Sequence, residues 1–204
     1  AGVAFVRASQ PFSMAYELAE ELCQHAKAHA KAWKQENEEV VPAALAFHRA
    51  TTSLIDDYSA ILGNELQAPH TGDRLTWEVY GLGDEQAKGL PSGALPDLAN
   101  LEALAAHLIE EEGGKGGLRE ILGMAGRSPA EARRGFERWR RIREKHNPRW
   151  LREFDNRVGR ITGGEPEELF VQRQGDVRAT PLGDALNLAA VMPENAAEAE
   201  EEGS

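Results

Sequence analysis

The chain has 204 residues, 41% of them hydrophobic, a net charge of -11 and a single cysteine. That is apolar material for one sizeable core or two small ones, which excludes a wholly disordered chain. The lone Cys23 excludes an internal disulfide framework and any cysteine-rich zinc site. No run approaches the ~18 apolar residues of a membrane span and no signal-peptide pattern is present, so a soluble, cytoplasmic protein with no membrane partner is expected.

Ala1 to Val6 is an apolar run closed by Ser9-Gln-Pro11, the pattern of a buried strand entering a turn. A chain that opens inside a strand reads as trimmed at its N-terminus. Ala15, Leu18, Ala19, Leu22 and Ala26 recur at threes and fours and predict a helix over about 13–33, with Ser13 as its cap and Cys23 toward its apolar side. After a polar connection over 36–39, the segment from Pro42 to His48 reads as a second strand. Thr52 or Ser53 is placed to cap a helix reaching Leu66, with Leu54, Ile55, Tyr58, Ile61 and Leu62 on its buried face. Leu75 to Tyr80 has the aromatic and branched content of a third strand.

The Gly and Pro cluster from Gly81 to Pro96 marks a boundary, beyond which the chain turns helical. Leu98, Leu101, Leu104 and Leu108 define one helix, and Leu118 to Met124 a short one. Pro129 opens a long helix whose apolar positions are Phe136, Trp139 and Ile142. Asn147-Pro148 ends it, Trp150, Leu151, Phe154, Val158 and Ile161 form the next, and Pro181 opens the last. The expected fold is therefore α/β, a ferredoxin-like half beginning strand-helix-strand, followed by a mostly α-helical domain. Its expected divisions are 1–82, a linker over 83–95, a helical domain over 96–192, and an acidic, disordered tail over 193–204.

Several side-chain groups could carry chemistry. Asp56-Asp57 could hold magnesium for phosphoryl transfer, but beside a helix start the pair is expected to serve the helix dipole. His25 and His29, four apart on the first helix, could share a metal. No Glu follows His25 in the metalloprotease pattern and no third ligand is evident, so two solvent-facing histidines are expected. His48, at a strand end, is expected to be structural. Gly113-Gly-Lys-Gly-Gly117 lacks the phosphate-loop spacing and reads as a flexible joint. Between Arg127 and Arg160 there are twelve Lys and Arg against five acids, a net of +7 that leaves -18 on the rest. One face of this segment, through Arg134, Arg138, Arg140 and Arg141, could bind RNA phosphates or an acidic partner; the alternative is that these arginines pair with the chain's own acids.

The stretches Ala1-Gly-Val-Ala-Phe-Val6, Pro11-Phe-Ser-Met-Ala-Tyr-Glu-Leu-Ala-Glu-Glu-Leu-Cys-Gln-His-Ala-Lys27 and Ala44-Leu-Ala-Phe-His48 together resemble the second palm domain of the large, polymerase-like subunit of type III CRISPR effectors, a family related to GGDEF nucleotide cyclases. Ser53 to Asp57, Leu75 to Tyr80 and Thr180 to Ala189 resemble its downstream pattern more loosely. The resemblance implies a protein that uses ATP and magnesium to make cyclic or linear oligoadenylate messengers in antiviral defence, alongside CRISPR RNA or target RNA and small effector subunits. It also implies that Lys27, and more weakly Lys31, contact the nucleotide's phosphates; the alternative is a pair of helix-surface lysines. The family's Gly-Gly-Asp-Asp hairpin is absent from the sequence, so the chain alone is expected to be catalytically inert.

Overall fold

The computed structural model describes residues 1–32, 41–52, 56–83, 95–110, 114–164, 166–173 and 177–193. Over these residues the order is β1 (Gly2–Phe5), α1 (Phe12–Ala32), β2 (Ala44–Arg49), α2 (Tyr58–Asn64), β3 (Val79–Gly81), α3 (Leu98–Glu110), α4 (Gly114–Ala125), α5 (Pro129–His146), α6 (Pro148–Thr162), β4 (Val171–Gln172), β5 (Arg178–Ala179) and α7 (Leu182–Ala189). The expected α/β start followed by a helical region is what forms. The expected polar connection over 36–39, most of the expected linker and the acidic tail beyond Pro193 lie outside the described residues, as do Ser53, Leu54 and Ile55.

β1 and β2 run parallel and are joined through α1; β3 pairs antiparallel with β2, giving the order β1-β2-β3. Side chains alternate across a strand, and here the two faces serve two hydrophobic clusters. Ala44 and Ala46 of β2 and Val79 of β3 pack with Leu18, Leu22, Ala26 and Ala30 of α1 and with Tyr58 and Ile61 of α2. Phe47 and Tyr80 point the other way, into a larger cluster with Leu101, Leu104 and Leu108 of α3, Phe136 and Trp139 of α5, Phe154 of α6 and Leu182 and Leu186 of α7. The sheet is thus a wall shared by a two-helix layer and the helical array.

Residue choice explains how closely these layers sit. A Cβ built on Gly2 would fall on the carbonyl oxygen of Ala19 and the amide of Cys23, so only glycine lets β1 lie directly on the α1 backbone. α6 begins where Asn147 accepts a hydrogen bond from the Trp150 amide at 3.1 Å and Pro148 fills the first turn, and it ends at Gly163 in the left-handed region, φ 63°.

Four local expectations are corrected. α2 starts at Tyr58, because Asp57, rather than Thr52 or Ser53, caps it by accepting from the Ala60 amide at 2.8 Å. The third strand is only Val79–Gly81: Glu78 adopts φ 75°, which breaks the extended run from Leu75. Gly114 to Gly117 are the first turn of α4 rather than a joint. A Cβ on Gly117 would stand 2.9 Å from the Trp139 ring, so close packing accounts for glycine there. Ile142 is 48% exposed, and the apolar face of α5 consists of Ala132, Phe136 and Trp139.

Candidate functional site

Among the described residues, three ligating side chains gather where α1 passes the approach to β3. Positions four apart on a helix share a face, so His25 and His29 stand side by side with ring centroids 4.5 Å apart. The third group arrives from 49 residues along the chain: Glu78 Oε2 lies 3.1 Å from His25 Nε2. One ligand atom each from His25, His29 and Glu78 lie within 4.8 Å of one another. Both imidazoles are half-buried and Glu78 is buried, which corrects the expectation of two solvent-facing histidines without a third ligand.

Glu78 is held by its backbone. The buried Asp184 of α7 accepts from the Trp77 amide at 2.6 Å, the Glu78 amide at 3.3 Å and the Tyr80 hydroxyl at 2.7 Å. A non-glycine residue at positive φ is strained, and this three-point anchor keeps the turn in place and aims the Glu78 carboxylate at α1. Its second oxygen lies 3.5 Å from Arg74 Nε, and Arg74 is itself fixed by donating to the Leu62 carbonyl at 3.0 Å.

The electrostatics follow from burial. Burial pushes the Glu78 carboxyl up, but the His25 hydrogen bond and the Arg173 and Arg74 charges outweigh it and hold the group below the usual range. Burial first, then the neighbouring His25 and Arg173 charges, push His29 down to about 4, so it is a neutral imidazole at pH 7. Burial alone takes His48 down to about 4 as well. The Asp184 carboxyl is driven up to about 7 by burial, against the pull of its three hydrogen bonds. Tyr58, whose ring meets His25 edge-on at 5.0 Å, has its hydroxyl pushed up by burial and by the charges of Glu78 and Asp184.

Beside His25 a cleft of about 620 Å³ is lined by Glu17, Glu20, Glu21, Asp57, Tyr58 and Ser59. Asp57 is engaged as the α2 cap: the Ser59 hydroxyl at 2.6 Å and then the Ala60 amide hold its carboxyl below the ordinary range. Glu21 accepts from the Tyr58 amide at 2.6 Å.

Lys27 and Lys31 are exposed on α1. Lys27 is about 200° around the helix from His25, so lysines and histidines serve different sides of α1. On α5, Arg134, Arg138 and Arg141 are exposed and, with exposed Lys145, follow the three-and-four spacing of one helical stripe. Arg140 departs from that group. Its guanidinium donates to both Asp155 oxygens at 2.5 and 2.9 Å and to the Pro166 carbonyl at 3.1 Å, over the Phe136 ring.

No protein-family model matches the chain, and no curated protein is significantly similar to it.

Proposed function

We propose that the chain is the scaffold and phosphate-facing half of a polymerase-like palm, together with its helical domain, from a CRISPR-associated protein that makes oligoadenylate messengers from ATP and magnesium. The observation that carries this reading is the parallel β1-α1-β2 unit with Lys27 exposed on the crossover helix, over the segment where the sequence resembles the family. An ammonium there neutralises phosphate charge without needing a deep pocket. The catalytic carboxylates belong, on this reading, to a hairpin upstream of Ala1, and the chain alone turns over no ATP.

The test is to extend the chain by the roughly 60 residues encoded before Ala1, which must include a metal-holding carboxylate pair, and to follow conversion of labelled ATP with magnesium. Oligoadenylate from the extended chain, cut about tenfold or more by Lys27→Ala, is the expected outcome. An upstream segment without paired carboxylates overturns the enzyme assignment. Full turnover in Lys27→Ala overturns the phosphate role.

A second reading, a non-catalytic RNA-binding or assembly module, is favoured by the exposed stripe of Arg134, Arg138, Arg141 and Lys145. Here the chain binds single-stranded RNA without ATP, and replacing the three arginines with Gln lowers the slope of log affinity against log salt by about 2. An unchanged slope removes RNA binding by this stripe. Arg140, locked to Asp155, is expected to contribute nothing to it.

A further inference from the structure

We propose that His25, His29 and Glu78 form a binding site for a divalent transition metal, zinc foremost. Two imidazole nitrogens and one carboxylate oxygen are a donor set that zinc takes in three-ligand sites, leaving a fourth position for water or a small anion. Magnesium and calcium prefer all-oxygen shells and are poorly served by two imidazoles.

The geometry is close to what zinc requires. Ligand atoms about 2.0–2.2 Å from a tetrahedral centre stand roughly 3.3–3.6 Å from one another. The His25-Glu78 separation of 3.1 Å is nearly such an edge already. All three ligand atoms lie within 4.8 Å of one another, so closing onto a metal asks for a shift of about 1 Å. Among the described residues the His29 ring has no hydrogen-bond partner, whereas His25 gives up its bond to Glu78 in exchange for the metal.

Surroundings add two independent arguments. The strained Glu78 backbone is maintained by a buried acid from the far end of the chain, an arrangement that a merely exposed ion pair would not need. The neighbouring cleft carries the carboxylates of Glu17, Glu20, Glu21 and Asp57 and shares His25 as part of its wall. Such a cleft concentrates cations beside His25. Arg74, 3.5 Å from Glu78, works against a bare cation. It thereby favours a metal bound through nitrogen coordination over one bound by charge alone.

This site is independent of the nucleotide reading, since Lys27 lies on another side of α1. The experiment uses the whole chain, stripped with chelator and titrated with zinc by calorimetry, then with cobalt(II) read by visible absorption. One zinc per chain is expected, with intense tetrahedral cobalt bands and a raised melting temperature. His29→Gln keeps the His25-Glu78 hydrogen bond and should weaken zinc by about 100-fold or more without altering circular dichroism. Glu78→Gln is a second variant, and Lys27→Ala should leave zinc binding unchanged. Equal zinc affinity in wild type and His29→Gln, a cobalt-thiolate charge-transfer band implicating Cys23, or no stoichiometric uptake would each overturn the proposal.

Discussion

Asp184→Asn should leave stability near wild type in acid and raise it above wild type progressively as the pH rises. The Asp184 carboxyl is raised from 3.8 to about 7, so between those values the folded chain holds its proton more tightly than the unfolded chain does. Stability contributed by the protonated acid is therefore fully present below about pH 3.8 and is lost as pH rises through about 7. A shift of about three units corresponds to about 4 kcal/mol over that window. Asparagine keeps an acceptor for the Trp77 and Glu78 amides and for the Tyr80 hydroxyl, and it cannot ionise. Urea melts of both proteins from pH 4 to pH 8 should thus show Asp184→Asn near wild type at pH 4 and gaining on it by about 4 kcal/mol at pH 8. Asp184→Ala is the counterpart. It orphans three buried donors at about 1–3 kcal/mol each, with the 3.3 Å bond at the low end, so a loss of about 4 kcal/mol is expected at pH 4. At pH 8 relief of the buried charge cancels most of that loss. Parallel pH profiles for wild type and Asp184→Asn would refute this account of the clamp.

Two other outcomes follow from packing and burial. Gly2→Ala must push β1 away from the α1 backbone and should cost about 3 kcal/mol in a chemical melt, whereas Gly123→Ala, with open space around it, should be neutral or slightly stabilising. Equal melts for the two variants would show that β1 does not depend on this close approach. His48, buried and depressed to about 4, contributes stability that is present above about pH 6.5 and lost as pH falls through 4. The full span is about 3 kcal/mol, and His48→Gln should flatten that acid limb when unfolding midpoints are compared at pH 7 and pH 4.5.

Much of the fold was legible from local chemistry. The α1 stripe, the Pro129 and Asn147-Pro148 boundaries and the opening strand-helix-strand follow from periodicity and caps. What was hidden depended on distant partners. The Trp77 and Tyr80 side chains give Leu75 to Tyr80 a strand's composition, yet a carboxylate on α7 binds the Trp77 and Glu78 amides and leaves only the last part extended. The first turn of α4 holds Gly117, which no propensity would choose, because the Trp139 indole occupies the space a side chain would need there. At the candidate site, the histidine pair was visible in its spacing while Glu78 was not. Its approach is set by a left-handed residue and a clamp 106 residues away, neither of which has a local signature. Even the arginines divide by tertiary context. Arg140 belongs to Asp155, and Arg134, Arg138 and Arg141 to the surface.

The clamp also sets an order of events during synthesis. Trp77 and Asp184 are separated by 107 positions, and at about 5–20 residues per second a ribosome needs roughly 5–20 s to make the second after the first. Throughout that interval the nascent chain carries Trp77 and Tyr80 without the partner that will bury their polar groups. A chain made only as far as Ala179 therefore exposes the Trp77 and Glu78 amides and the Tyr80 hydroxyl that Asp184 would have covered, and the β3 turn can settle only once α7 has emerged.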